Sequence, residues 1–357
     1  MVDVNWRGLG KGALIGAGLV GGVIAAELGT VGALILREAF KYPTPVQDGP
    51  DPRVEPPAKA PRSSVVGTPD GALLHVATIG DVDAADEVIV LIHGWTCNTG
   101  FWNPQFHHFA DNRAVIAYDH RGHGLSELGS VRPSVELLGQ DLQTVLEEMV
   151  PEGKRAVLVG HSMGGMTIMS WAAQFGSGME EKISAIVLTS TAAKDVVQRQ
   201  QLVPELPRFL RPAEPLVERA FVSLPLPLAS NDLSARIAHY VALGPVARQA
   251  HVDFTDKQLA ACSPSARGAW GTAMYSLDVT AGLERISVPT AVVVGAKDRL
   301  TKVEHSREMA DVLRANGVLH SYTEFPGAGH MVPFERADAF NAVLDTVLGD
   351  VSEAVNS

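Results

Sequence analysis

Five short runs of apolar, mostly β-branched residues recur between residues 87 and 298, and they constrain the fold more than any other feature of the sequence. The runs are EVIVLIHG (87–94), AVIAYDH (114–120), AVLVGHS (156–162), AIVLTST (185–191) and TAVVVGAKD (290–298). Their hydrophobicity is continuous rather than alternating, which indicates strands buried on both faces of a mostly parallel sheet. Helical patterns lie between the runs, as at 135–150 and 163–175, so the sequence predicts an α/β domain with helices flanking a central sheet.

Two further segments complete the predicted domain. A turn signal at Pro69-Asp70-Gly71 predicts a β-hairpin ahead of the five runs. Residues 192–285 break the alternation with helical, proline-interrupted sequence, which is typical of a cap over a site and would follow the sixth strand. The sequence therefore predicts a first core part at 65–191, a cap at 192–285 and a second core part at 286–350.

The N-terminal region has a different character. Residues 13–36 form an apolar, glycine-rich run that only Glu27 and Thr30 interrupt, and about 20 helical residues suffice to cross a bilayer. We therefore predict one transmembrane helix within residues 1–42, anchoring the chain to a membrane on a side that the flanking charges leave open. A cleaved signal peptide and a helix docked on the α/β domain are the alternatives.

Small residues recur at intervals of four in this run, as at Gly18, Gly22 and Ala26. This spacing lets helix backbones approach closely, so it predicts a homo-oligomer formed through the helix. Residues 43–64 follow, with seven prolines between 43 and 62. Such a composition predicts a semi-extended linker rather than a packed element, with the compact domain beginning near Val65.

Other sequence features argue against several classes of ligand. Gly16, Gly18 and Gly21 have the G-x-G-x-x-G spacing of dinucleotide-binding loops, but such a site needs several neighbouring strands, and the proline-rich linker begins at Pro43. Neither C-x-x-C nor H-E-x-x-H spacing occurs, so we expect no cofactor and no metal. The formal net charge of −11, without a Lys/Arg cluster, argues against a nucleic-acid partner.

The pentapeptide Gly160-His161-Ser162-Met163-Gly164 has the pattern G-x-S-x-G between a predicted strand and a predicted helix. A serine on so sharp a turn needs small neighbours, because the backbone passes close to itself there. The turn would raise the hydroxyl of Ser162 above the sheet and leave N–H groups at the helix start free to meet an anion. This pattern favours Ser162 as a nucleophile.

A serine nucleophile needs a base and a group that orients the base. Asp298 ends the run at 290–298, where catalytic groups of open α/β sheets gather, and His330 lies in a turn after the extended run LHSYTEF. The chain order Ser162, Asp298, His330 is the order that such a sheet uses for a catalytic triad. We therefore predict a Ser-His-Asp triad, and we expect Cys97 to be a small buried residue rather than a second nucleophile.

Several motifs together resemble the α/β-hydrolase superfamily, in its capped lipase/esterase and cofactor-free haloperoxidase-like branch. They are HGW (93–95), YDHRGHGLS (118–126), GHSMGG (160–165), GAKDRLT (295–301) and GAGHMVPFE (327–335), within a resemblance that spans about residues 65–348. It implies the α/β-hydrolase fold and an oxyanion hole made by the backbone N–H groups of Trp95 and Met163. The substrate-binding residues that it implies are His93, Gly94, Trp95, His161 and Met163. The residues that it implies to be structural are Asp119, Arg121, Gly122, His123 and Gly124.

We therefore expect a membrane-anchored serine hydrolase that cleaves carboxylic esters through an acyl-enzyme. The predicted anchor places the site near lipids, which favours a lipid-like acyl ester over other small-molecule esters. A cofactor-free haloperoxidase or perhydrolase, or an acyltransferase, would use the same triad. A ligand-binding protein or oligomeric scaffold with little turnover is the alternative from another class, and the complete triad disfavours it.

Overall fold

The computed structural model describes residues 29–200, 202, 219, 222–223 and 229–356. Eight strands form one sheet in this part of the chain: Arg62–Gly67 (β1), Leu73–Ile79 (β2), Glu87–Ile92 (β3), Ala114–Tyr118 (β4), Arg155–His161 (β5), Ile183–Thr189 (β6), Thr290–Gly295 (β7) and Leu319–Phe325 (β8). Their order is β1-β2-β4-β3-β5-β6-β7-β8. The hairpin of β1 and β2 is antiparallel and pairs antiparallel with β4, whereas every other pair is parallel. The predicted mostly parallel sheet is confirmed.

Strand β3 shows why the apolar runs are continuous. Val88, Val90 and Ile92 belong to the hydrophobic core on one face of the sheet, and Ile89 and Leu91 belong to the core on the other face. Successive side chains of a strand point to opposite faces. A strand with a core on each side is therefore apolar at every position.

Helices cover both faces. The first core includes residues of the helices Val135–Met149, Met163–Phe175, Met179–Lys182, Thr280–Glu284 and Val303–Ala315. The second core includes residues of the 3-10 turn Thr99–Trp102 and the helices Asn103–Phe109, Val332–Glu335 and Ala337–Asn356.

Between β6 and the helix Thr280–Glu284, the described residues form three longer helices: Asp232–Ala242, Gln249–Ala261 and Pro264–Tyr275. They lie within the predicted cap, and the last of them is bonded to the core. Trp270 donates from Nε1 to the carbonyl of Arg121 at 2.8 Å, and Trp95 donates from Nε1 to the carbonyl of Arg267 at 3.1 Å. Since Trp95 and Arg121 follow β3 and β4, this helix lies over the carboxyl edge of the sheet.

The N-terminal region also contacts the cap. Residues 29–41 form a helix, and its Ile35 and Ala39 are buried in a cluster with Tyr240. Residues 29–36, the end of the predicted transmembrane run, are therefore part of a helix docked on the domain. This arrangement is one of the two alternatives to a transmembrane helix given above. Residues 13–28, with the glycine spacing behind the predicted homo-oligomer, lie outside the described residues. No helix in the described part of the chain is long and apolar enough to span a bilayer.

The predicted linker is packed rather than free. Asp51 and Val54 are buried, and the side-chain amide of Asn103 donates to the carbonyl of Val54 at 2.8 Å. Val46 forms a parallel bridge with Arg248 of the cap. The prediction of an unpacked linker is wrong at these residues, which find partners on the cap and on the core, whereas most other residues of 43–64 are exposed. We refer to residues 29–51 as the N-terminal strap.

Asp51 anchors the end of the strap with a buried carboxylate. It contacts Arg248 at 2.6 Å, Arg53 at 3.0 Å and Nε2 of His251 at 3.0 Å. The side chain of Asp51 is 2% exposed, whereas that of Asp48, which pairs with the same Arg248 at 2.7 Å, is 42% exposed. Removing one partner of a buried ion pair leaves the others uncompensated, whereas an exposed pair contributes little.

We predict that Asp51→Ala lowers the free energy of unfolding by about 3 kcal/mol. The matched variant Asp48→Ala should lower it by less than about 1 kcal/mol. Urea unfolding followed by circular dichroism measures both. Equal losses in the two variants would show that the buried carboxylate does not anchor the strap.

Candidate active site

Ser162 occupies a strained turn between β5 and the helix Met163–Phe175. Its backbone has φ 53° and ψ −117°, a conformation that residues other than glycine rarely adopt. A Cβ at Gly164 would lie 2.0 Å from the carbonyl oxygen of Ile92, and a Cβ at Gly160 would lie 2.6 Å from the backbone of Gly164. The turn therefore needs glycine at both positions, as the pentapeptide predicts.

Two backbone N–H groups lie beside this turn without partners. Neither Trp95 nor Met163 donates a backbone hydrogen bond to any described residue. Met163 opens its helix, where N–H groups have no partner within the helix. A Cβ at Gly94 would lie 3.0 Å from the Cβ of Ser162, so the loop that carries Trp95 packs directly on the serine. The two N–H groups are thus available to an oxygen close to Ser162.

Asp298 and His330 are hydrogen-bonded to each other. Asp298 lies in the loop after β7 (residues 296–301, the acid loop), and His330 lies in the loop after β8 (residues 326–331, the base loop). Nδ1 of His330 lies 2.8 Å from Oδ2 of Asp298. Because a carboxylate only accepts, Nδ1 carries the proton and Nε2 keeps a free lone pair. The histidine is in the tautomer that a general base requires.

The carboxylate of Asp298 is fixed by its own loop. Its Oδ1 accepts the backbone N–H groups of Leu300 and Thr301, each at 2.9 Å, and its Oδ2 accepts the Thr301 hydroxyl at 2.9 Å. A side chain with this many partners cannot rotate freely. Asp298 thus caps the following turn and also orients His330, so a capping role and an orienting role coexist in one residue.

The backbone of His330 is held from two sides. Its N–H donates to the carbonyl of Ala242 at 2.8 Å, and its carbonyl accepts a bond from Nε2 of His161 at 3.0 Å. The rings of His161 and His330 lie 4.8 Å apart. The residue before Ser162 thus contacts the residue that would serve as its base.

Glu335 supports the same loop, a role that the sequence motifs do not predict. The carboxylate is buried and accepts the N–H groups of Gly244 at 2.7 Å, Gly329 at 3.0 Å and Met331 at 3.1 Å. Gly329 and Met331 flank His330, so Glu335 restrains the base loop on both sides of His330. Its bond to Gly244 also links the base loop to the cap. Its place five residues after His330, within the motif GAGHMVPFE, was the available signal.

His93 and His161, two members of the predicted substrate-binding set, are enclosed by the protein. Both side chains are buried. His93 uses Nδ1 to bond the carbonyl of Gly94 at 2.7 Å, and its Nε2 accepts the N–H of His120 at 3.1 Å. His161 stacks on Phe101 at 4.5 Å. Both side chains are covered and bonded inside the protein, where they shape the loops around Ser162, and their place in the substrate-binding set stays a prediction.

Gly94, Trp95 and Met163 lie beside Ser162 as described, although the Met163 side chain is buried and only its N–H is available. Burial also raises the pKa of the Cys97 thiol to about 12. A thiol in that environment stays protonated and is a poor nucleophile.

The segment after β4 is a scaffold, as its motif implies. Asp119 accepts the N–H groups of Thr99 and Leu125 and binds Nδ1 of His75 at 2.8 Å. A Cβ at Gly124 would lie 2.2 Å from the Asp119 carboxylate. The Arg121 guanidinium, nearly fully buried, forms ion pairs with Asp70 and Asp141 at 2.6 and 2.7 Å.

His93, His120 and His123 form a buried cluster with ring centroids 4.7 to 6.2 Å apart. Burial is the main cause that lowers the pKa of each ring, so all three are neutral at pH 7. Among the described residues, no group of three or more His, Cys, Asp or Glu side chains could hold a metal ion.

The sheet order, the serine on its strained turn and the bonded Asp–His pair together define an α/β hydrolase. The chain belongs to the serine aminopeptidase S33 family (Hydrolase_4), whose model matches residues 83–337.

Similar proteins carry several activities. The chain is 26% identical over 287 residues to 3-oxoadipate enol-lactonase 2 of Acinetobacter baylyi, with 79% of this chain and 95% of that protein covered. It is also 26% identical over 294 residues to a bifunctional esterase/perhydrolase of Acinetobacter calcoaceticus, covering 78% and 97% of the two chains. A non-heme chloroperoxidase of Streptomyces lividans matches at 26% over 273 residues, covering 73% and 91%. This group indicates an ester-hydrolysing enzyme.

Solved structures match the fold. A thermophilic esterase from Thermogutta terrifontis superposes with a TM-score of 0.64 at 21% identity, covering 81% of this chain and 99% of that chain. An esterase from Exiguobacterium antarcticum gives a TM-score of 0.64 at 19% identity, covering 80% and 99%. At these identities the likeness establishes the α/β-hydrolase fold.

Glu335 gives a testable pH dependence. Burial outweighs the three N–H donors and raises its pKa from 4.5 to about 7 in the folded chain. Between these values the folded state keeps a proton that the unfolded state has lost, so stability falls as the pH rises through this window. We predict that the wild type loses about 3 kcal/mol more unfolding free energy than Glu335→Gln between pH 4 and pH 8, since one pKa unit corresponds to about 1.4 kcal/mol.

Urea unfolding of the two proteins at each pH measures this difference. Glutamine keeps the shape of the side chain and removes its titration, so the comparison isolates the carboxyl group. Parallel pH profiles for the two proteins would contradict the prediction.

Proposed function

We propose that this protein is a serine hydrolase that cleaves carboxylic esters through an acyl-enzyme formed on Ser162. The observation that carries the proposal is the 2.8 Å contact between Nδ1 of His330 and Asp298, which leaves Nε2 free to take a proton. The strained turn at Ser162 supports it, as do the N–H groups of Trp95 and Met163, which bond to no described residue.

The reaction follows from these groups. Oγ of Ser162 attacks the ester carbonyl while Nε2 of His330 takes its proton. The carbonyl oxygen becomes an oxyanion that accepts hydrogen bonds from the N–H groups of Trp95 and Met163, and the loss of one such donor typically lowers the rate by about 10²–10³. His330 then gives its proton to the leaving alcohol. A water molecule, activated by the same histidine, releases the acid from Ser162.

In the structure, Oγ of Ser162 makes no hydrogen bond to a described residue. Contacts between a nucleophile and its base are often long before substrate binds and tighten in the reacting complex. Asp298 stays in place during this step because four bonds hold its carboxylate. It therefore stabilises the imidazolium that forms when His330 takes the proton.

The environment of Trp95 supports an apolar substituent on the substrate. The indole nitrogen is bonded to the carbonyl of Arg267, and a Cβ at Gly271 would lie 3.2 Å from the Trp95 ring. The ring is therefore held against the cap, close to the N–H that would bind the oxyanion. We propose an ester with an apolar acyl group. We also propose a lipid-like ester and membrane attachment through the part of the apolar run that precedes residue 29, on the basis of the composition of that run.

A second activity deserves a test because two of the similar proteins are a perhydrolase and a chloroperoxidase. The same acyl-enzyme would give a peracid if hydrogen peroxide replaced water as the attacking group. A series of p-nitrophenyl esters from acetate to decanoate measures hydrolysis and acyl preference. Peracid formation from a short carboxylic acid and peroxide measures the alternative.

We predict that wild type reacts with a fluorophosphonate probe, and that Ser162→Ala abolishes labelling and lowers p-nitrophenyl ester hydrolysis by at least about 10³-fold. Cys97→Ser should retain both activities within a few-fold, because the thiol is buried and protonated. In-gel fluorescence and initial rates measure these effects, and circular dichroism verifies folding. Labelling of Ser162→Ala at the wild-type rate would refute the nucleophile assignment.

A further inference from the structure

One residue of the N-terminal strap, Tyr42, contacts both the acid loop and the part of the cap that packs on the base loop. The hydroxyl of Tyr42 donates to the carbonyl of Leu243 at 3.0 Å, across 201 residues of sequence. The same hydroxyl accepts a bond from Nη1 of Arg299 at 3.1 Å. Leu243 follows Ala242, whose carbonyl accepts the N–H of His330. Arg299 directly follows Asp298.

The contact with Arg299 is extensive. Its guanidinium lies 4.6 Å from the ring centroids of both Tyr42 and Tyr240 and donates to the carbonyl of Tyr240 at 3.0 Å. Stacking a cation on aromatic faces and bonding it at its tip restricts the arginine to one position. The acid loop is therefore held at the residue adjacent to its carboxylate.

The contact of Tyr42 with Leu243 restrains the cap residues that pack on the base loop, which carries His330. Residues 242–244 lie directly on the base loop: Ala242 accepts the N–H of His330 at 2.8 Å, and Gly244 donates to Glu335 at 2.7 Å. A Cβ at Gly329 would lie 2.4 Å from the carbonyl carbon of Leu243. The space between the cap turn and the base loop is thus too small for either to shift independently.

We propose that Tyr42 is a positioning residue for the Asp298–His330 pair. Its hydroxyl holds the acid loop through Arg299 and the base loop through Leu243, so it sets the distance between the two loops from outside the site. This inference rests on the proposed function. It assigns a role to a residue that precedes the first position matched by the family model, and it makes the N-terminal strap part of the active enzyme rather than a dispensable leader.

Phenylalanine at position 42 tests the proposal because it keeps the aromatic ring and removes only the hydroxyl. In the full-length chain, Tyr42→Phe should lower the second-order rate constant of fluorophosphonate labelling by about tenfold, since small displacements of reacting groups cost rate steeply. With p-nitrophenyl esters, kcat should fall by a similar factor while KM changes less than about twofold.

Arg236→Gln is the matched control. Arg236 lies on the cap helix Asp232–Ala242, bonds the carbonyl of Phe40 at 2.9 Å and lies 5.1 Å from the Phe40 ring centroid. It thus joins the strap to the cap without a hydrogen bond or ion pair to a described residue of either loop. This variant should label within about twofold of wild type. Loss of rate in Arg236→Gln equal to that in Tyr42→Phe would mean that docking of the strap in general is what matters, and would overturn the specific role of Tyr42.

A double-mutant cycle tests whether Tyr42 acts through Arg299. If it does, Tyr42→Phe should slow labelling much less in an Arg299→Gln background than in wild type, because the shared contact is already absent. Full additivity, or wild-type labelling by Tyr42→Phe, would overturn the proposal.

A spectroscopic measurement separates this proposal from the proposed function. The Nδ1 proton bonded to Asp298 should give a downfield proton NMR signal that His330→Gln removes. Tyr42→Phe should shift or broaden this signal, and an unchanged signal would refute the positioning role whether or not the protein labels. Absence of labelling in the wild type would instead refute the proposed function.

Discussion

The acid loop, the base loop and the cap meet through direct contact of their backbones, and the serine turn packs in the same way on the end of β3. A Cβ at Gly164 would lie 2.0 Å from the carbonyl oxygen of Ile92, a Cβ at Gly295 would lie 1.9 Å from the carbonyl oxygen of Gly329, and a Cβ at Gly329 would lie 2.4 Å from Leu243. Side chains would force these segments apart, and the groups on them would no longer converge. Since backbone contacts leave little room for adjustment, the relative positions of Ser162, Asp298 and His330 depend on glycine at these points.

Hydrogen bonds from polar groups further restrain the acid loop and the base loop. Asp298 is held by its own turn, Glu335 bonds the N–H groups on both sides of His330, and His161 bonds the carbonyl of His330. The N-terminal strap adds bonds from Tyr42 to the cap and to the acid loop. Each loop at the carboxyl edge is therefore restrained by a partner from another part of the chain, and the proposed chemistry relies on groups whose positions are set before substrate arrives.

Much of the architecture could be predicted because its signals are local. Continuous apolar runs indicate strands with a core on each face, and the G-x-S-x-G pattern at 160–164 specifies a turn that few other sequences can form. The pairing of Asp298 with His330 could be anticipated because chain order and loop position both restrict the candidates.

The contributions of Tyr42 and Asp51 could not be predicted, whereas Glu335 lies in the same motif as His330. The partners of Tyr42 and Asp51 lie about two hundred residues away in the sequence, and the proline-rich context of Asp51 favoured a free linker. His93 and His161 carry polar side chains that are typical of a site, yet both are buried and each bonds a backbone carbonyl inside the protein. A residue type indicates what a side chain can do, whereas its partners are decided by tertiary packing.

The buried histidines around the serine turn affect the electrostatic field at the site. Burial lowers the pKa of His93 and of His161 well below the ordinary range, so both are uncharged at neutral pH. The N–H groups of Trp95 and Met163 therefore lie near uncharged imidazole rings, so these two histidines add no positive charge to the dipoles that would meet the oxyanion. Dissolved salt weakens interactions between exposed charges over distances of about 10 Å. His93 and His161 carry no charge that salt could screen, so their contribution to the field at the serine turn does not depend on ionic strength.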